Sequence, residues 1–378
     1  MNRNAVNDQP FAFRDELGPA RVIHVHEPSL QLQATLVIDN VAAGPAIGGL
    51  RMAPDVTTLE CARLARAMTL KNAAAGLRHG GGKSVLRADP RMDPQRKQEL
   101  VRAFAHTLRN ESDYIFGPDM GTDETAMAWV LDEIGRGRAV GLPVELGGIP
   151  LDELGATGWG VAHAAEIAAP HCGLAMNGLK VAIQGFGAVG RHAARFLRDR
   201  GAVLVAVADS VCTLHDPRGI DLDHLLAIKE SGGHVGDAKT GQRLDADAII
   251  GIECDLWIPA ARPDVVRADN VAQLKARLVI QGANIPFTDE AERLLAQRKV
   301  TVVPDFIANA GGVICAAMEL AGATRTAAFD AIAERIRANT DAVLQAAARD
   351  QISPRDAANA LAVSRVRSAM SHRRFGVS

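Results

Sequence analysis

The chain has 378 residues, enough for about two domains and a large buried core. Its 42 Lys+Arg against 44 Asp+Glu leave a formal net charge of −2, so no global field draws it onto nucleic acid or an anionic membrane. Hydrophobic residues at 48% and charged residues at 23% exclude a disordered chain.

The elements follow in chain order. Leu32, Ala34, Leu36 and Ile38 alternate with polar neighbours, a strand pattern. Thr57-x-x-Glu60 reads as a capping box opening a helix that Gly76 can close, with Leu64, Met68 and Lys71 along its apolar stripe. Asp93-Pro94 opens a second helix with Leu100, Phe104 and Leu108 on one face. Thr122 is expected to cap a third, carrying Met127, Val130, Leu131 and Ile134. The glycine- and proline-rich run at 135–150 marks a domain boundary, placed between 145 and 146. Beyond it, short apolar strands at 180–184, 203–208, 255–259, 278–281 and 300–303 alternate with helices, which predicts a parallel doubly wound sheet over about 146–334. Two long helices close the chain, and residues 335–378 are expected to fold back onto the first domain.

Cys61, Cys172, Cys212, Cys254 and Cys315 form no C-x-x-C pair, so no zinc or other metal site is expected, and their scatter suits a reducing compartment. The first twenty residues lack the apolar segment of a secretory signal, and the most apolar long stretch, 306–323, holds Asn309 and Glu319. A cytoplasmic protein without a membrane span is expected.

The motif VAIQGFGAVG sets Gly185, Phe186, Gly187, Ala188, Val189 and Gly190 in the spacing G-x-G-x-x-G. It follows an apolar strand and opens a helix, and a second strand ends at Asp209. This is the context of a dinucleotide site, in which the helix N-terminus receives the pyrophosphate. Asp209 can accept the adenosine ribose and repel a 2′-phosphate, which favours NAD over NADP; a strand-end aspartate can also simply cap a turn.

Lys71 and Lys83 lie in AMTLKNAAAGLRHGGGKSVL. Gly80, Gly81 and Gly82 are expected to leave bare backbone for a ligand. GGGKS is not a phosphate loop, because Leu77 stands where that motif needs its first glycine. One lysine can pair with a substrate carboxylate; a second near it, with a depressed pKa, can serve as a base. Asp119, in GPDMGT, can exchange protons with a substrate nitrogen or cap the following helix.

Taken together, GPAIGGLRM, MTLKNAAAGL, GGGKSV, GPDMGT, GFGAVG, CDLWIPAA, QGANIPFT and VPDFIANAGGV resemble, in order, the landmarks of the glutamate/leucine/phenylalanine/valine dehydrogenase family. The resemblance implies an α/β protein with an N-terminal substrate and oligomerisation domain and a Rossmann-type cofactor domain, closing a cleft between them. It implies reversible oxidative deamination of an L-amino acid to a 2-oxo acid and ammonia with NAD(P), in a homo-oligomer. By the same resemblance Lys71 holds the substrate α-carboxylate, Lys83 activates the water, and Asp119 shuttles protons. Thr157 holds the nicotinamide amide, Ala260 lines the cofactor site, and Asn284 lies beside nicotinamide and substrate.

Glutamate-specific members carry a lysine immediately before Gly48-Gly49, where this chain has Ile47, and a serine where it has Ala316. Without those partners a buried γ-carboxylate is costly, whereas an apolar side chain gains from burial. A leucine/valine/phenylalanine-type substrate is therefore expected. The alternatives are a glutamate enzyme binding the γ-carboxylate otherwise, through Arg51, or a silent NAD-binding homologue. The segment after the second cofactor strand resembles the glutamate branch.

Overall fold

The computed structural model describes residues 13–135 and 137–373, which divide into two compact units. The first comprises the stretch up to Ile149, Glu319–Gly322 and the chain from Ala362 onward; the second comprises Pro150–Met318 and Ala323–Leu361.

The first unit runs β1 (Arg21–Glu27), β2 (Leu32–Asn40), β3 (Ala46–Met52), α1 (Thr58–Ala74), β4 (Gly80–Leu86), α2 (Pro94–Thr107), β5 (Tyr114–Pro118) and α3 (Glu124–Ile134). The strands form one sheet in the order β1-β2-β4-β3-β5, with β3 parallel to β4 and β5, and with β2 antiparallel to β1 and β4. Alternation sends Leu36, Leu50 and Phe116 into one core with Phe104 of α2 and Met127 of α3. It sends Val37 and Val85 against α1 on the other face. Each large side chain so buried contributes about 1.5–3 kcal/mol.

Capping follows local chemistry. The Thr57 hydroxyl accepts the Glu60 N–H, and Asp93 accepts two amides ahead of Pro94. Thr122 does not cap α3: Asp123 does, accepting the Ala126 N–H, because the Thr122 hydroxyl donates to the Leu50 carbonyl and accepts the Asp119 N–H. The buried face of α1 is Cys61, Ala65, Thr69 and Asn72, with Leu64, Met68 and Lys71 on its half-buried flank. Small residues win that face because the helix lies so close to β4. A Cβ on Gly81 would stand 2.0 Å from the Thr69 nitrogen, and one on Gly80 1.7 Å from the Asn40 carbonyl oxygen. These glycines therefore admit protein, correcting the expectation that they leave room for a ligand. Glu319, buried and 8% exposed, accepts N–H groups from Gly141, Leu142 and Ile149 at 2.8, 3.2 and 2.8 Å.

The second unit begins with α4 (Leu151–Leu154), α5 (Ala156–His171), β6 (Lys180–Gln184), α6 (Ala188–Arg198), β7 (Val203–Ala208), β8 (Thr213–His215) and α7 (Leu222–Glu230). It continues with β9 (Gln242–Leu244), β10 (Leu256–Pro259), β11 (Leu278–Ile280), α8 (Asp289–Gln297), β12 (Thr301–Val303), α9 (Asp305–Ala308), α10 (Gly311–Leu320), α11 (Arg325–Asp350) and α12 (Pro354–Ser371), of which the end of α10 from Glu319 and α12 from Ala362 belong to the first unit. Its sheet order is β12-β11-β10-β6-β7-β8-β9. The five expected strands are parallel, and the chain reverses at β6, the switch point where such sheets bind ligands. The short β8 and β9 add an antiparallel edge that three-residue strands do not announce in sequence.

The expected return of residues 335–378 is narrower here. Helix α11 packs on α5 and belongs to the second unit, and only the chain from Ala362 onward joins the first.

Candidate active site and nucleotide site

The C-terminal ends of β3, β4 and β5 gather three charged side chains. Lys83 on β4 is 3% exposed, and its Nζ donates to Asp119 Oδ2. Arg51 on β3 donates from Nε to Asp119 Oδ1 at 2.8 Å and from its terminal nitrogen to Glu60 at 2.7 Å. Strand alternation places Ile47, Gly49 and Arg51 on the face shared with Lys83. Gly49 permits the approach of Asp119, since a Cβ there would lie 2.8 Å from the Asp119 Cβ. The Gly48 carbonyl accepts from the Tyr114 hydroxyl at 2.7 Å. Ile47 is buried and pairs in register with Gly81 and Ile115.

Burial pushes the Lys83 pKa down; Asp119 opposes this and Arg51 reinforces it. Asp119 would be raised by its burial, but Lys83 and Arg51 together hold its carboxyl below its usual range. A lysine that sheds its proton readily, touching an ionised carboxylate, can pass protons at neutral pH. Lys71 occupies the last turn of α1, half-buried. Cys61, beside Lys83 in space, is a packing residue: its thiol lies 3.1 Å from the Lys83 carbonyl, and burial pushes its pKa up to about 12. The sequence offers Arg51 as an alternative partner for a γ-carboxylate, but only folding brings it to Asp119 and Glu60.

In the second unit the glycine turn between β6 and α6 fits a dinucleotide. Gly185 has φ 99° and lies against Ala260 and Ala261. A Cβ on Gly190 would stand 2.0 Å from the Gly185 carbonyl oxygen, so helix and strand meet there only through glycine. A Cβ on Gly187 would meet nothing within 4 Å, and this residue is the N-cap of α6. Bare backbone thus opens onto a helix N-terminus, which suits a pyrophosphate. Phe186 is buried beneath the turn, and Ala188 and Val189 form the first turn of α6. A pocket of about 510 Å³ adjoins it, lined by Gly185, Gly187, Arg191, Asp209, Lys229 and Arg262 among others.

Asp209 lines this pocket but is heavily engaged. Its carboxylate accepts the N–H groups of Val211, Cys212 and Val235 and contacts Lys229 and His234 at 3.4 and 3.3 Å. About four lone-pair positions serve five partners. The turn-anchoring reading of Asp209 is thus realised in the structure.

The exposed Asn284 follows β11, and its Oδ1 accepts from Asn309 Nδ2 at 2.8 Å. Thr157 lies in the first turn of α5, its hydroxyl 3.5 Å from where a Gly312 Cβ would stand, and Ala316 is buried in α10. The sequence shows Asn309 only as a polar interruption of the stretch 306–323; its bond to Asn284 comes from the fold. Among the described residues no cluster could hold a metal ion, and no helix is long and apolar enough to cross a membrane.

Two sheets, one ending in a buried lysine–aspartate contact and one in a nucleotide turn, define an α/β dehydrogenase. The sequence model described as Glutamate/Leucine/Phenylalanine/Valine dehydrogenase matches residues 147–374, and that of the family's dimerisation domain matches residues 19–136; the chain belongs to this family. It is an NAD(P)-dependent amino-acid dehydrogenase acting on a CH–NH2 group.

The chain is 37% identical to a glutamate dehydrogenase of Aeropyrum pernix, over 88% of this chain and 84% of that one. It is 39% identical to an NADP(+)-dependent glutamate dehydrogenase of Pyrobaculum calidifontis, over 80% and 77%. It is 37% identical to an NAD-specific glutamate dehydrogenase of Staphylococcus aureus, over 72% and 68%. Among solved structures, a hetero-hexameric glutamate dehydrogenase of Thermus thermophilus in a leucine-bound form superposes with TM-score 0.82 at 30% identity, covering 94% of this chain and 90% of that one.

Proposed function

We propose that the chain catalyses the reversible oxidative deamination of L-glutamate. Amino acid, oxidised NAD(P) and water give 2-oxo acid, ammonium, reduced NAD(P) and a proton. The similarity to named glutamate dehydrogenases carries this reading against the leucine-type expectation. Arg51 is the cation we assign to the side-chain carboxylate, which would compete with the half-exposed Glu60. Lys71 takes the α-carboxylate, above Ile47, Gly48 and Gly49. Neutral Lys83 removes a proton from the water that adds to the imino carbon, and Asp119 carries protons to and from the nitrogen.

The cofactor supplies the hydride acceptor for the substrate Cα. Residues 185–190 would hold its pyrophosphate, with Thr157, Ala260 and Asn284 toward the nicotinamide and Ala316 toward the substrate. In this division residues 1–145 serve substrate and assembly into a homo-oligomer, and 146–334 serve the cofactor. NAD is the first cofactor to test because Asp209 borders the pocket. Its commitments to the loop weaken any discrimination, so NADP is assayed beside it.

A second reading, an apolar amino acid, is favoured by Ile47 and Ile115 side by side on the Lys83 face. Reduction of either nucleotide with a panel of L-amino acids decides. Glutamate turned over best, with its KM raised about tenfold or more in Arg51→Gln, supports the first reading. Leucine, valine or phenylalanine outpacing glutamate supports the second. Tight nucleotide binding with no turnover on any amino acid would sink both.

A further inference from the structure

Among the described residues, five other than glycine have positive φ: Gln31, Asp264, Ile285, Lys299 and Gln351. Four are polar side chains in turns. Ile285 is β-branched, at φ 48°, a conformation that crowds its Cβ and that such residues rarely adopt. Its side chain is 57% exposed, so no core packing offsets the strain.

The surroundings impose the conformation. The Ile285 N–H donates to Asp305 Oδ2 at 2.8 Å, and its carbonyl accepts the Asp264 N–H at 3.0 Å. Asp305 is itself fixed, because Arg355 donates to it at 3.2 Å while also reaching Gln281 and Glu292. A strained residue clamped this firmly points to a use for its side chain.

Its position says which use. The loop carrying it leaves β11 beside the nucleotide turn: a Cβ on Gly282 would lie 3.2 Å from Val189 in the first turn of α6 and 3.6 Å from the Ala260 side chain. Asn284 precedes it, held by Asn309, whose Oδ1 is buried with no hydrogen-bond partner among the described residues. A buried acceptor of that kind suits the amide donor of a carboxamide.

We propose that Ile285 is a cofactor-binding residue, its exposed side chain forming the apolar contact for the nicotinamide ring. Asp305 and Arg355 act as positioning residues that hold it in its strained conformation. The proposal rests on the dehydrogenase reading of the second unit.

The test uses the full chain with Ile285→Asn, Ile285→Gly and Ile285→Leu. Asparagine accepts the left-handed region, so Ile285→Asn is expected to raise the melting temperature of the cofactor-free protein by about 2–4 °C. In the same variant the Kd for NADH, read by its fluorescence, and the KM for the oxidised cofactor rise about tenfold. The KM for the amino acid changes less than about twofold. Ile285→Gly weakens NADH binding equally, and Ile285→Leu restores it.

Unchanged NADH affinity in both polar and glycine variants would overturn the proposal. So would a rise confined to the amino-acid KM, which would assign Ile285 to the substrate instead. NADH binding is read without turnover, so an enzyme inert toward every amino acid would refute the proposed reaction and leave this test intact.

Discussion

Across β3, β4 and β5 three charged side chains, Lys83, Asp119 and Arg51, meet from distant parts of the sequence. At the end of β6 the feature is instead the backbone of one short turn, shaped by Gly185, Gly187 and Gly190. The first region works by burying charge, which shifts proton affinities. The second lacks Cβ atoms, which leaves open space at the N-terminus of α6. Substitutions should therefore fail differently in the two places: in chemistry at the first, in fit at the second.

The largest expected effect is Lys83→Ala. It should lower kcat about a thousandfold while the Kd for NADH stays within about twofold. Retained turnover would remove Lys83 from the chemistry; lost NADH binding would mean the two regions are not separable in this way.

Next come two glycines three residues apart. Gly187→Ala should leave the melting temperature within about 1 °C and raise the cofactor KM about tenfold, because its methyl enters only the space left for phosphate. Gly190→Ala should instead cost about 1–3 kcal/mol in a urea titration, because its methyl collides with the Gly185 carbonyl. Equal effects from both would break the argument from fit.

The smallest expected effect is Asp209→Asn. Loss of a charge that anchors three amides and contacts Lys229 and His234 should cost about 1–2 kcal/mol and shift the NAD-to-NADP preference less than about threefold. A tenfold gain for NADP with no loss of stability would restore the ribose role. Burial pushes the Asp209 carboxyl upward, but the amides of Val235, Val211 and Cys212 and the Lys229 ammonium hold it lowered. Its stabilisation is thus full above the ordinary carboxylate range and fades as pH falls through the lowered value, a loss the asparagine variant should not show.

The same contrast explains what could be read from the sequence. Residues 185–190 were legible because a glycine states directly what the backbone must do, and strand and helix flank the motif. The parallel strands and the caps at Thr57 and Asp93 were legible for a similar local reason. Asp209 was visible as a strand-end acid, yet its five partners lie as far off as Val235 and could not be. Thr122 reads as a cap because local sequence shows only nearest neighbours, whereas its hydroxyl donates to the carbonyl of Leu50 on β3. The triple glycine before Lys83 was seen, but its reason lies in Thr69 and Asn40, which only folding brings near.

The three amides on Glu319 carry a consequence for biosynthesis. The loop at 141–149 leans on a carboxylate encoded some 170 residues later, and the first unit also takes in the chain from Ala362 onward. At about 5–20 residues per second, a ribosome needs about 10–40 s to travel from Pro150 to Leu361. Until Glu319 is made the loop amides have only water to bind, and until the chain from Ala362 follows the first unit lacks its last segment. The second unit, whose own residues arrive sooner after one another, can be complete first.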